Sequence, residues 1–194
     1  MMLQQWGGRI CALVAIGLLL GCAADSRPAP GSTRLARLDE LSALWSFYKF
    51  HYVDAGRVVS LDEGHITTSE GQGYAMLRAV WSDDRETFAQ VWRWTRRNLA
   101  VRGDHRLAWK WKGKVLDAHS ATDADTDVAL ALLLAARRFG EPRYEQAALE
   151  IVEDIWDQEI LAVGNAYYVT AGDWARDQAF PVIHVGYLAP YAYE

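Results

Sequence analysis

Ala121-Thr122-Asp123-Ala124-Asp125-Thr126-Asp127-Val128-Ala129-Leu130-Ala131-Leu132-Leu133-Leu134-Ala135 is the stretch whose reading decides the fold. An acidic opening runs into alanines and leucines, the pattern continues to Phe139, and Gly140 and Pro142 end it. That is a helix over about residues 121–139, with Ser120 or Thr122 as its expected cap. One aspartate in a first turn is explained by capping and the helix dipole. Here Asp123, Asp125 and Asp127 stand at alternate positions, and Asp117 precedes them. Asp123 and Asp127, four apart, share a helix face and repel mildly. A calcium loop is the rival reading. However, no glycine stands at its sixth position and no glutamate at its twelfth.

Outward from this helix the pattern stays helical. Leu35, Leu38, Leu41, Leu44, Trp45 and Tyr48 recur at intervals of three and four, which predicts one buried face. A second helix is predicted from Ser69 to Trp81. A third starts at Asp83 or Asp84 and runs to about Leu99, with Phe88, Val91, Trp92 and Thr95 inward. A fifth runs from Pro142 to about Glu159 with Tyr144, Ala148, Ile151 and Ile155 inward. Asn165 to Thr170 alternates like a short strand, and a sixth helix is expected near Tyr187. The turns at Ser82–Asp84 and Gly140–Glu141 are short enough to make antiparallel helix pairs. Segments 52–68, 100–120 and 160–186 are long and rich in Gly, Asp and aromatics. They alternate with the short turns, so all three fall at one end of the assembly, where a functional site is expected.

Composition narrows the class. With 51% hydrophobic and 23% charged residues the chain is globular. A net charge of −5 and the lack of a basic stripe tracking phosphates argue against a nucleic-acid partner. Nine tryptophans and nine tyrosines can build a core or line a groove for ligands with flat apolar faces, such as sugars.

At the loop-rich end lies a second acidic stretch, Thr67-Thr68-Ser69-Glu70-Gly71-Gln72-Gly73-Tyr74-Ala75-Met76. Glu70 in a first turn favours the helix dipole, which alone explains most such residues. Gly71 and Gly73 cost helix stability, about 1 kcal/mol each against alanine. They are read as allowing a ligand close to the backbone. Two acidic groups at one end of a Trp-rich helical assembly are the equipment of glycoside cleavage, where one carboxyl protonates the leaving oxygen and another activates water or attacks the sugar.

The residues themselves resemble glycoside hydrolase family 8. Thr67 to Met76 is similar to the segment carrying that family's general acid, and Ala121 to Ala135 followed by Phe139 is similar to its signature. Tyr187-Leu188-Ala189-Pro190-Tyr191 is similar to the start of a later inner helix, although His184-Val185-Gly186 departs from the family pattern there. The likeness runs from about Leu44 to the last residue. It implies an all-α (α/α)₆ barrel of helical hairpins, of which 34–194 would hold about the first half. It also implies an inverting, endo-acting hydrolase of β-1,4-glucan, with Glu70 as general acid and Asp123 contacting and distorting the sugar at the cleavage point. Tyr187 and Asp125 would support substrate binding, and the general base would lie downstream of Glu194. Trp109 and Trp111 alternate in an extended segment and are read as stacking on glucose rings or, equally, as covering the core. No cofactor and no metal are expected.

Glu70 needs a proton before it can act. Its helix N-terminus favours the anion, so burial or a neighbouring carboxylate, with Asp123 the natural candidate, must oppose that. Other readings remain open: a non-catalytic glucan-binding or remnant lipoprotein, the same chemistry on chitosan, xylan or mixed-linkage glucan, or a role beside a glucan synthase in exporting a self-made polysaccharide.

The first 22 residues read as a targeting segment. Arg9 precedes the apolar run Ile10 to Leu20, which is short for a membrane span and fits a signal-peptide core. Leu19-Leu20-Gly21-Cys22 resembles the lipobox of bacterial lipoproteins, with Cys22 as the lipid attachment site. The alternatives are a plain membrane anchor and secretion after ordinary cleavage. Residues 23–33, with Pro28, Pro30 and Gly31, read as a tether. The protein is expected to be exported and anchored at the periplasmic or outer-membrane face. With Cys11 and Cys22 so used, no cysteine is left for a disulfide, zinc or a nucleophile.

Overall fold

Each predicted helix has a local reason to start and stop. A computed structural model describes residues 30–193 of the chain, with side chains from residue 36 onward. Contacts divide the chain at Arg37. Of the first unit only the opening of α1 (Pro30–Tyr52) is described, and everything below concerns the unit Leu38–Glu194. Helix α2 is Ser69–Trp81, capped by Thr68, whose hydroxyl accepts from the Gly71 amide at 3.1 Å. Helix α3 is Arg85–Asn98, and Asp84 caps it by accepting from the Thr87 amide at 3.0 Å. Asp83 instead sits in the left-handed region at φ 57° and makes the turn. Helix α4 is Thr122–Phe139, ended by Gly140 at φ 69°. Helix α5 is Pro142–Glu159 with proline in its first turn.

Helices α2 to α5 bury the faces their periodicity predicts. Helix α4 packs between α2 and α5, and α3 packs on α2. Met76, Phe88, Val91, Leu132, Ala148 and Ile151 are wholly or almost wholly buried. The Phe88 ring meets Phe139 and Tyr144 edge-on, at 5.7 and 5.1 Å. Two antiparallel helix pairs joined by short turns are the repeating unit of an (α/α)₆ barrel, the fold class expected.

Small antiparallel ribbons decorate the loop-rich end. β1 (Val53–Asp54) pairs with β2 (Arg57–Val58), and β3 (Thr67–Thr68) pairs with β4 (Lys110–Trp111), which pairs in turn with β5 (Val115–Asp117). β6 (Ile160–Val163) and β7 (Ala166–Val169) form a hairpin. The β3–β4–β5 sheet ties segment 52–68 to segment 100–120, so these two expected long connections do meet at one end.

Three expectations are corrected. The leucine stripe of α1 is not a buried face: Leu38, Leu41 and Leu44 are each about half exposed, while Trp45 is buried. No α-helix begins near Tyr187. Residues 185–187 and 190–192 make two short 3-10 turns, because Pro190 has no amide to donate and drives Ala189 out of the helical region, to φ −114° and ψ 66°. Finally, neither Ser120 nor Thr122 caps α4. The cap position is Ala121, without a side-chain bond, and both hydroxyls are used elsewhere.

Candidate active site

The start of α2 is fixed from three sides. The Ser69 amide donates to the Trp109 carbonyl at 3.0 Å, joining the helix to the segment before α4. Gln72, fully buried, accepts from the Val58 amide at 2.6 Å and donates to the Gly56 carbonyl and the Thr95 hydroxyl at 3.1 and 2.7 Å. Gly56 is at φ +91°, and a β-carbon there would lie 2.4 Å from the Gln90 carbonyl oxygen, so only glycine permits this approach of ribbon to α3. Glu70 is thereby held in an exposed first turn. Tyr74, one turn on, donates its hydroxyl to Glu70 Oε1 at 2.7 Å. That bond, with burial and the glutamate charge, raises the Tyr74 hydroxyl far above a free tyrosine.

Of the two glycines beside Glu70, Gly73 serves packing. A β-carbon on Gly73 would sit 3.3 Å from that of Asp127 and 3.4 Å from Val128, and one on Gly71 3.5 Å from Val58. Gly73 lets α2 and α4 approach closely, and that brings the two acidic helix starts together, whereas the contact at Gly71 is an ordinary one with β2.

On α4, Asp123 is half-buried and its Oδ1 has no hydrogen-bond partner. Burial raises its pKa to about 6, helped by the charges of Glu70 and Asp127 against the lowering effect of the α4 amides. Asp127, buried one turn on, accepts from the Tyr191 hydroxyl at 2.8 Å. Burial again raises it, aided by the Glu70 charge. Tyr191 is pushed to about 12 by burial and by Asp127. Tyr187 is raised by burial and then by Asp123 and Glu70. Glu70, Asp123, Asp127, Tyr74, Tyr187 and Tyr191 therefore form one electrostatic group. Of its carboxyls, Asp123 and Asp127 are both held above the ordinary aspartate range, by burial first and by neighbouring charge second.

Asp125 lies outside this group, which corrects its expected role in substrate binding. Alternate residues of a helix point in nearly opposite directions, and Asp125 is fully buried, accepting from the Leu107 amide at 2.9 Å. It belongs to a buried clamp. Arg106 bonds Asp104 at 2.6 Å and the fully buried Glu159 at 3.1 Å. Arg102 bonds Asp104 at 3.0 Å and Asp173 at 2.8 Å. Ser120 donates its hydroxyl to Glu159, and its amide donates to Asp173 at 3.2 Å. The Thr122 hydroxyl donates to the Thr170 carbonyl at 2.7 Å. The clamp fastens the segment before α4, the end of α5 and α6 (Asp173–Arg176) around the start of α4, and so fixes where Asp123 stands. The divergence of Asp123, Asp125 and Asp127 also removes the calcium-loop alternative. Among the described residues no acidic, histidine or cysteine group is arranged to hold a metal.

The two tryptophans part company. Trp111 is half-buried against the core, edge-on to Trp94 at 5.1 Å, with the Arg57 guanidinium 4.7 Å from its ring centre. These contacts favour the core-covering alternative for Trp111. A register shift between Lys110 and Trp111 breaks the expected alternation with Trp109. Trp109 is half-buried, with the Lys110 ammonium 4.9 Å from its ring. Cys22 lies outside the described residues.

The sequence reading quoted Tyr74, Asp127 and Tyr191 without giving them a role. Spacing held the signal for two of them, because Glu70–Tyr74 and Asp123–Asp127 are both four apart on a helix. Nothing local marked Tyr191, whose partner is 64 residues away.

Helical hairpins that carry coupled carboxylates at one end define a class of carbohydrate-processing barrels, and comparison with known proteins agrees. Residues 18–194 match the model for "Glycosyl hydrolases family 8", and the chain belongs to that family. It is 36% identical to an endoglucanase of Salmonella typhi, covering 92% of this chain and 49% of that protein. It is 34% identical to a probable endoglucanase of Novacetimonas hansenii, covering 80% of this chain and 44% of the relative. Its structure is similar to that of the endo-beta-1,4-glucanase CMCax from Acetobacter xylinum, with a TM-score of 0.66 and 35% identity over 70% of this chain and 44% of the other. The chain thus spans less than half the length of these relatives.

Proposed function

We propose that this chain contributes the acid-bearing half of an endo-acting, inverting hydrolase of β-1,4-glucan, with Glu70 as general acid. Asp123 contacts the sugar at the cleavage point, and Tyr187 supports it. The observation that carries this reading is the placing of Glu70 and Asp123 in the first turns of α2 and α4, two helices packed closely at Gly73, in a member of a family whose relatives are named endoglucanases. A general acid must hold its proton until the leaving oxygen departs. On this reading Glu70 gives that proton. Tyr74 holds Glu70 Oε1, leaving the other oxygen to face the glycosidic bond. The general base is taken from the part of the relatives' length that this chain does not span.

The test uses a protein of the relatives' full length carrying these residues. Glu70→Gln is expected to leave glucan binding intact and to cut hydrolysis of cellulose oligomers by about 10² to 10⁴-fold. Substrates whose leaving group needs no proton should lose far less. Near-normal cleavage of cellulose oligomers by Glu70→Gln would remove Glu70 from the mechanism. A second reading is binding without cleavage by residues 1–194 alone. It has in its favour the exposed aromatic side chains Tyr74 and Tyr191 beside the carboxylates. It predicts saturable binding of cello-oligosaccharides by this chain with no reducing ends released.

We further propose export as a lipoprotein held through Cys22, on the strength of the Arg9, Ile10–Leu20 and Leu19–Cys22 pattern. Cys22→Ser should abolish labelling by a fatty-acid analogue and release the protein from membranes. Unchanged labelling overturns the anchor.

A further inference from the structure

A cleft of about 480 Å³ opens between α3 and α5, away from the carboxylates of the active site. Its walls are Trp92, Arg93, Arg96 and Arg97 from α3 and Arg143 and Tyr144 from α5. The three arginines of α3 stand at i, i+3 and i+4, on one face of the helix. All four are exposed. The Arg96 guanidinium lies 5.9 Å from the Trp92 ring centre and that of Arg143 5.4 Å from the Tyr144 ring, so aromatic faces steady both. Arg143 also sits 3.4 Å from Glu141. Arg93, Arg96 and Arg97 form no ion pair among the described residues, whereas Arg85, Arg102, Arg106 and Arg138 each do.

Helix electrostatics explain only part of this. Arg96 and Arg97 stand in the last turn of α3, where a cation suits the dipole. Arg93 is mid-helix. Arg143 is in the first turn of α5, the end where a cation is disfavoured. Four guanidinia line two walls of one cleft in a chain of net charge −5, and Glu141, beside Arg143, is the one carboxylate paired with any of them among the described residues. A carboxylate is satisfied by one planar fork. A tetrahedral phosphoryl group offers more oxygens and can accept from both walls at once. The cleft is within the size range of small-ligand sites, about 300–1,000 Å³.

We propose that the α3–α5 cleft binds phosphoryl groups, either free in solution or carried on a lipid headgroup. This stands apart from the hydrolase reading, since no residue of the cleft belongs to the carboxylate group.

The test is binding by the full chain at physiological salt, in two arms. One titrates inorganic pyrophosphate and follows tryptophan fluorescence, and the other sediments the protein with phosphatidylcholine vesicles with and without phosphatidylglycerol. The triple variant Arg93→Gln, Arg96→Gln, Arg97→Gln is expected to weaken binding at least about tenfold, as loss of charge-assisted hydrogen bonds does. Arg143→Gln alone should weaken it too. Replacing the three α3 arginines by lysine keeps the charge but loses the fork, and should give an intermediate loss. The control Lys112→Gln, Lys114→Gln, Arg137→Gln removes equal charge elsewhere and should bind as wild type. Effects in both arms, or in the vesicle arm alone, or in the pyrophosphate arm alone, support the cleft and say which source it uses. No saturable binding in either arm, or an equal loss in the control, overturns it. Circular dichroism keeps the test valid: any variant with altered helix content is replaced by Arg143→Gln.

Discussion

Asp123 carries a cost that its neighbours make measurable. Unfolded, an aspartate releases its proton near 3.8, whereas folded Asp123 keeps its own to about 6. A carboxyl raised by folding stabilises the fold at low pH, and that contribution is lost as pH climbs through the folded value. The full shift corresponds to about 3 kcal/mol; solvent reaching a half-buried side chain reduces it to about 1–2 kcal/mol. Asp123→Asn should therefore raise stability against urea by about that amount at pH 7, and by nothing measurable at about pH 4. Equal effects at both pH values would mean that the charge is not strained. A residue kept at this cost fits a functional position. The sequence pointed, through stretches that resemble family motifs, to Asp123, Glu70 and Tyr187, whose side chains the structure gathers into one electrostatic group. It misassigned Asp125, whose surroundings come from Leu107, Arg106 and Glu159, 18 or more residues away in the chain.

Elements show the same division. The bounds of α2, α3 and α5 were readable to within a residue or so because their signals are adjacent: Thr68 and Asp84 as caps, Gly140 and Pro142 as punctuation. The ribbons were not readable, since a two-residue strand such as β4 exists only through its partners. Nor was the exposure of the α1 leucines, which share their periodicity with buried faces elsewhere. Gln72 is where an element depends most on a remote bond, joining α2 to the β1–β2 ribbon and to α3. Gln72→Met fills similar space but leaves the Val58 amide and the Gly56 carbonyl without it. At about 1–3 kcal/mol per buried group left unpaired, the expected loss is about 2–6 kcal/mol in denaturant melts. Amide exchange at Val58 should speed up with it. A loss under about 1 kcal/mol would mean that water replaces the glutamine.

At the scale of the molecule, the face between α4, α5 and the β6–β7 hairpin stands open. It holds a groove of about 400 Å³ lined by Leu130, Leu133, Val152, Trp156, Tyr167 and Tyr193. Apolar area of this kind marks an interface or an aggregation hazard. Chain 1–194 on its own should bind an anilinonaphthalene dye with a strong rise in emission, and Val152→Glu with Trp156→Glu should suppress most of it. Unchanged emission in that variant would place the dye elsewhere.

The clamp around the start of α4 also has a consequence in time. The α2–α3 hairpin and its ribbon can assemble as soon as Asn98 has been made. Asp123 cannot be held in place until Glu159 and Asp173 exist to meet Arg106 and Arg102. Fifty residues of synthesis separate Asp123 from Asp173, about 3 to 10 s at typical ribosome speeds. Glu70 is therefore placed early and Asp123 is locked late, so the order in which the chain emerges keeps the two carboxylates from being set against each other until Glu159 and Asp173 have been made.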